Sequence, residues 1–390
     1  MHRAPTILAA VLALSCGDDS SAGDAGIDGG ADATARLMTV QSLARDVMLP
    51  RYRDFSAAAV ALEEATATAS STPAPETLEA ARNAWRDAMD LWQELEAMQV
   101  GPAGLADRTT AGEDLRDEIY SWPIVNACRV DQELVSGDYA NVDAFASELI
   151  NVRGLDAMEY LLFYEGTTNA CESLSAINRD GTWDAVVDEI PARRLAYAAT
   201  AATLVRRSAE LLVTRWDESF LDEITRAGMG STAFASAQDA LNAISDALFY
   251  IDVETKDMKL AEPGGLSDVC AADCAYQRES LYANHSIPNV LHNLRGLQRI
   301  FDGADGGLGF DDLLVTVGHA ELATAMSGAI ADAIALIETV SDDIPTLLAA
   351  NPDALVPLHA AVKAITDLLK TQLLTALDLE APMRADTDND

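Results

Sequence analysis

Gly154-Leu-Asp-Ala-Met-Glu-Tyr-Leu-Leu-Phe-Tyr164 is apolar on almost every side, interrupted only by Asp156 and Glu159. A helix that is apolar all round is a buried helix. Residues three apart on a helix share a face, so the two carboxylates are directed at the same place. Burying like charges together is costly unless a cation, protons or hydrogen-bond donors compensate. This pair is therefore the first candidate for function.

Outward from this stretch the chain keeps helical character. Ala, Leu and Glu abound, β-branched alternation is scarce, and apolar residues recur at three-and-four spacing. The pattern predicts helices over 37–69, 75–99, 110–120, 142–164, 191–216, 231–257, 288–301, 310–340 and 352–377. Pro75, Pro191, Pro288 and Pro352 suit first-turn positions, where a missing N–H costs least. The Gly- and Asn-punctuated segment 167–188 divides the set. The expected fold is all-α: two antiparallel helical bundles, 35–188 and 189–380. No short-period repeat marks a solenoid.

The chain has 390 residues, 49% of them hydrophobic, which is enough for two ordinary cores. Its 26 basic and 63 acidic residues give a formal charge of −37. Such a field repels nucleic-acid phosphates, so nucleic acid is excluded as a partner, and its ordinary meaning is a well-solvated surface. His2 and Arg3 precede a short apolar run, and Ala13-Leu14-Ser15-Cys16 resembles a lipoprotein cleavage box. Residues 1–15 are expected to be a signal peptide. Cys16 would carry the lipid that holds the protein to a membrane, and 16–34, rich in Gly, Ala, Asp and Ser, would be a flexible tether. No other stretch reads as a transmembrane helix. The acidic end, 381–390, is expected to fray.

Four cysteines remain, an even number in a compartment where disulfides persist. Three pairings are formally possible. Cys270 with Cys274 and Cys128 with Cys171 is the favoured one, and Cys270-x-x-x-Cys274 lacks the second ligand pair that a metal site needs.

The opening stretch also resembles the imelysin-like family of bacterial envelope proteins, whose signature is Gly-x-His-x-x-Glu followed by apolar residues. Gly154, Glu159 and the 160–163 tail match; Asp156 stands where the family has histidine. Trp92-Gln-Glu-Leu-Glu-Ala-Met-Gln-Val-Gly-Pro102, followed by Ser121-Trp122-Pro123, is similar to a second family segment. Glu279-Ser-Leu-Tyr-Ala-Asn-His-Ser-Ile-Pro-Asn289, running into Asn293-Leu-Arg-Gly296, is similar to a third, with Ala283, His285 and Asn289 as its differences. The resemblance spans about 38 to 375. It implies two helical bundles with the signature facing their junction, a metal-binding or catalytic His/Glu pair, and a role in iron acquisition or handling at the cell envelope, with the outer membrane the expected anchor.

The candidate ligands for a divalent or ferric ion are Asp156, Glu159, Glu96 and His285, with Glu279, Ser286, Asn289 and Asn293 lining the site. An all-oxygen pair favours hard cations over zinc, so the change to Asp156 counts against peptidase chemistry more than against cation binding. The competing reading is structural. The carboxylates would pair with arginines, Arg153 or Arg295 being available, or accept backbone N–H bonds. Glu96 reads equally as a surface acid and His285 as a hydrogen-bonded structural residue. His285 and His292 would share a face only if Pro288 did not start or kink the helix. No phosphate-binding loop, no Gly-x-Ser-x-Gly elbow and no Cys-x-x-Cys-His occur, which argues against a nucleotide, an α/β-hydrolase nucleophile and covalent haem. Residues 302–312 resemble a calcium loop without its terminal glutamate and are expected to connect helices. Three functions follow: a metal- or iron-handling envelope lipoprotein, a metallopeptidase, or a noncatalytic scaffold for a protein or peptide partner.

Overall fold

The computed structural model describes residues 28–382 except 271 and 305. The expected signal peptide, Cys16, most of the tether and the last eight residues lie outside that range. Among the described residues there is no strand. In chain order the helices are α1 (Asp28–Ser42), α2 (Leu49–Ser71), α3 (Pro75–Leu95), α4 (Leu115–Ile119), α5 (Ala127–Ser136), α6 (Val142–Phe145), α7 (Gly154–Phe163), α8 (Ala176–Arg179) and α9 (Ile190–Arg215). They continue as α10 (Leu221–Thr225), α11 (Ala237–Leu248), α12 (Ser286–Asp302), α13 (Phe310–Thr316), α14 (Ala320–Ile337), α15 (Ile344–Ala350), α16 (Val356–Leu368) and α17 (Leu374–Ala376). A widened helical stretch, Ile251–Ala261, follows α11.

Local chemistry sets many of these limits. Pro75 opens α3, and the Thr77 hydroxyl accepts the Ala74 N–H. Asn126 caps α5, which stops at Gly137 with φ +77°. Ser236 and Asp239 form a reciprocal capping box on α11. Asp343 accepts the Thr346 N–H to begin α15.

Several expected boundaries are corrected. The helix expected over 142–164 is three pieces, because the backbone of 146–153 turns before α7 can start. Gly154 has φ +91°, and a Cβ there would approach the Ile119 carbonyl oxygen to 2.9 Å. The helix expected over 310–340 breaks at Gly318, φ +93°. Pro352 lies in a turn, and Pro357 takes the first-turn place in α16. Helix α1 begins at Asp28, inside the expected tether, and α5 was not expected at all.

Packing crosses the expected boundary at 188/189. Helix α9 lies along α2 and α7, while α12 packs on α3 and on α14. The buried apolar residues from Val40 to Leu379 form one continuous cluster. Gly296 explains the closeness of α12 to α3: a Cβ there would meet the Glu94 carbonyl oxygen at 2.1 Å. Both favoured disulfides are present, Cys128–Cys171 and Cys270–Cys274. Helix α14 is long and apolar enough to cross a membrane by length and composition, contrary to the sequence reading. One face of it, with Met326, Ile330, Ala333 and Ile337, is buried against α12, α13 and α16.

Candidate functional site

Helix α7 is buried on every side, as its composition requires, and the Trp85 indole N–H holds its first turn by donating to the Leu155 carbonyl at 2.7 Å. Asp156 is 3% exposed and Glu159 7%. They sit on one face but serve different neighbours. Asp156 accepts the Ser121 hydroxyl at 2.6 Å and the Ala157 N–H at 3.0 Å. Glu159 Oε1 accepts the consecutive N–H groups of Tyr282 and Ala283 at 2.7 and 2.9 Å. The signature helix is thereby tied to both other family-like segments, one residue to each.

Neither carboxylate has an arginine partner. Arg153 is bound to Glu118 and Arg295 to Glu338. Burial is accordingly the dominant influence on both. It raises Asp156 to about 6 against the pull of Ser121 and the backbone N–H groups. Burial raises Glu159 to about 7 despite its two backbone donors, with Glu279 and Asp156 adding repulsion. Within the protein, hydrogen-bond donors meet both carboxylates, and Arg116 adds its field at Asp156.

Glu279 is fully buried beside this pair. Its Oε1 accepts Tyr120 OH at 2.7 Å and Gln93 Nε2 at 3.0 Å, and its Oε2 lies 3.0 Å from Lys259 Nζ. Lys259, also fully buried, donates to Gln93 Oε1 at 2.5 Å and Asn293 Oδ1 at 2.8 Å, between the rings of Trp122 and Tyr250. Burial lowers its pKa, and Glu279 and Glu96 oppose that. Asn293 closes the network by donating to the Gln93 carbonyl at 2.8 Å and accepting Thr255 Oγ1 at 3.1 Å. Of the expected lining residues, Glu279 and Asn293 are in this network. Ser286 donates to the Glu279 carbonyl and Asn289 to Ser280 Oγ, bracing the loop. That loop holds Ser280 and Asn284 at φ +51° and +53°, conformations non-glycine residues rarely adopt.

Sequence reasoning missed Lys259, Gln93, Tyr120 and Ser121 as site residues. Gln93 and Ser121 stand inside the quoted family-like segments, but Lys259 had no signal beyond being one of few lysines. Two other expected ligands are placed elsewhere. Glu96 is fully buried rather than a surface acid, and it accepts Trp92 Nε1 at 2.9 Å, Gln99, and Arg116 at 3.3 Å. His285, just ahead of α12, is hydrogen-bonded to Asp90 at 2.7 Å and packs on Trp85. His285 is thus hydrogen-bonded within the protein. Among the described residues no three His, Cys, Asp or Glu side chains group so as to hold a metal.

The family model described as imelysin, peptidase M75, matches residues 48–372. The chain belongs to the imelysin family. A relative, iron-regulated protein A of Synechococcus elongatus, is 24% identical over 351 residues, 86% of this chain and 85% of that one. An imelysin-like protein from Psychrobacter arcticum 273-4 shares the fold with a TM-score of 0.68 at 18% identity, covering 89% of this chain and 97% of its own. A protein from Parabacteroides distasonis ATCC 8503, named provisionally as an iron-regulated protein A precursor, gives 0.70 at 16% identity, with 88% and 95% covered. These likenesses at low identity carry the fold.

The metal that imelysin resemblance implies can be tested against this donor set, and the set does not fit. Asp156, Glu159, Glu96 and His285 are each hydrogen-bonded to different protein groups. Assembling them would strip two backbone N–H groups and an indole of their acceptors, at about 1–3 kcal/mol for each buried donor left unpaired.

Proposed function

We propose that this imelysin-family protein is an exported, lipid-anchored envelope protein with an iron-linked role, acting as a binding protein and not as a metallopeptidase. One observation carries the reading: Glu159 Oε1 accepts the Tyr282 and Ala283 N–H groups, so the signature works as a tie between segments. A metallopeptidase needs an open metal position and a carboxylate base. Here Asp156 replaces the family histidine, and each acid accepts hydrogen bonds within the protein, Glu159 through Oε1. The iron link rests on the relatives named iron-regulated protein A. The envelope address rests on residues 1–16.

The test uses the full chain purified without a histidine tag. It is expected to hydrolyse no unfolded protein substrate, with or without added zinc or iron, and to retain no stoichiometric metal that Glu159→Gln removes. Its abundance in the native cells is expected to change between iron-poor and iron-replete growth. Hydrolysis abolished by Glu159→Gln would overturn the reading, as would abundance indifferent to iron.

A further inference from the structure

Val269 and Tyr276 are 73% and 71% exposed, and among the described large apolar side chains only Leu174 is more exposed. They stand within two residues of Cys270 and Cys274, on the loop that follows the widened helix 251–261, and Leu266 of the same loop is 41% exposed. The loop begins beside Leu355: a Cβ on Gly264 would lie 3.3 Å from the Leu355 Cβ, and Val356, next along, is exposed as well. Its far end, the turn 274–277, packs on α15. Apolar side chains scattered singly over a surface need no explanation, but four on one loop and the segment it leans on do.

The loop is built to keep them displayed. Its disulfide joins residues four apart, against 43 for Cys128–Cys171. So short a closure removes little entropy from the unfolded chain, and what the bridge chiefly fixes is local shape. Asp273 is held at φ +55°, its carbonyl accepting the Tyr276 N–H at 3.0 Å. The buried Arg278 donates to the Ala275 carbonyl at 2.7 Å and to the Leu281 carbonyl and Asn284 Oδ1, each at 3.0 Å. Side chains fixed beforehand have less freedom to lose when a partner arrives.

Charge selects the partner. Residues 262–277 and 341–356 contain six acids and, apart from the disulfide pair, no residue that could carry positive charge, since neither segment has a lysine, arginine or histidine. Asp343 is committed to capping α15. Asp268, Asp273 and Asp342 are exposed, and none of them has an ion-pair partner among the described residues. A second copy seated here would bring like charges together, and anionic lipid would be repelled. An apolar centre with an acidic rim fits an apolar centre with a basic one.

We infer that this disulfide-closed loop is the docking surface for a polypeptide partner that presents an aromatic or aliphatic side chain flanked by lysine or arginine. The inference goes beyond the iron-linked reading and uses neither signature acid. The surface adjoins them all the same, because Arg278 joins the displaying turn to the loop whose Tyr282 and Ala283 N–H groups hold Glu159.

The experiment selects dodecapeptides from a random display library on the full chain, with counter-selection on the double variant Val269→Ser/Tyr276→Ser, whose changes are confined to exposed side chains. Enriched sequences are expected to combine an aromatic or aliphatic residue with lysine or arginine. Synthetic copies titrated calorimetrically are expected to bind the full chain and to lose about tenfold or more on the double variant. Asp268→Asn/Asp273→Asn, in which asparagine tolerates the left-handed position of Asp273, is expected to weaken binding by about three- to tenfold at about 50 mM salt and to flatten its salt dependence. No sequence that distinguishes the full chain from the serine variant, or distinguishing sequences without a cation, would overturn the proposal. Binding to vesicles of phosphatidylethanolamine and phosphatidylglycerol that the serine variant loses would show a membrane-facing loop instead. Concentration-dependent dimers that the serine variant loses would show a contact between copies, and either result overturns the partner proposed. Hydrolysis of the selected peptides abolished by Glu159→Gln would sink the binding-protein reading alone and leave the docking surface in place.

Discussion

Glu94 on α3 and Glu159 on α7 are both buried carboxylates in an acid-rich chain, and their surroundings push them in opposite directions. Burial pushes Glu94 upward, but His292, Arg51 and Arg299 outweigh it and bring the carboxyl to about 2. Arg51 lies 2.6 Å and Arg299 2.8 Å from it. Glu159 has two backbone N–H donors and no ion pair, Arg278 acting on it only at longer range, and burial wins, leaving it at about 7. Backbone donors satisfy geometry but carry only partial charge, whereas a guanidinium cancels the whole charge. The signature region is thus held together while remaining poised to take up or release protons.

The harshest way to break this contrast is to remove the cation paired with Glu279. Lys259→Met leaves Glu279 buried without its ammonium, and a loss of about 3–5 kcal/mol is expected in urea denaturation at pH 7. A loss below about 1 kcal/mol would mean that Tyr120 and Gln93 suffice. Next in size, Glu159→Ala orphans the Tyr282 and Ala283 N–H groups and should cost about 1–3 kcal/mol. Faster hydrogen exchange at those two amides would localise the effect.

The pH dependence sharpens the comparison, because the two sites have opposite signs. Asp156 and Glu159 titrate higher folded than unfolded, where carboxyls lie near ~4. Between about pH 4 and 7 the native state therefore binds more protons. Their contribution is full below the unfolded value and is lost as pH rises through about 6 and about 7. Glu159→Gln should remove part of that slope, raising stability at pH 8 relative to pH 5 by on the order of 2 kcal/mol. Glu94 runs the other way: its contribution is present above the unfolded value and is lost as pH falls through about 2. Glu94→Gln should cost about 1–3 kcal/mol at pH 7 and little near pH 2, measured by thermal melts across that range. Equal pH slopes in the two glutamine variants would erase the distinction.

The smallest effect is expected from Asp156→Asn. Asparagine can still receive the Ala157 N–H and bond Ser121, so stability at pH 7 should change by about 1 kcal/mol or less. A large loss there would show that ionised Asp156 matters through Arg116, which acts on it electrostatically.

Much of the fold was legible in single residues. Pro75 and Pro191 opened helices where expected, the apolar α7 stretch was buried, and both cysteine pairs were foreseen. Boundaries failed where glycine geometry decides, at Gly154 and Gly318, because a periodic pattern runs through a glycine that the backbone uses to turn. Of the site, Asp156, Glu159, Glu279 and Asn293 were legible as polar residues in apolar or family-like surroundings. Their partners were not. Lys259 meets Glu279 across 20 residues and Gln93 across 166, and Tyr282 meets Glu159 across 123.

By itself the sequence determined that the chain is helical, that α7 is buried, and that Asp156 and Glu159 share a face, because periodicity and composition act locally along a helix. Only the tertiary structure decided what answers their charge. The free energy of a buried carboxylate depends on which donor or cation the fold brings within about 3 Å, and here the fold brought a hydroxyl and backbone N–H groups to α7 and guanidinium groups to Glu94.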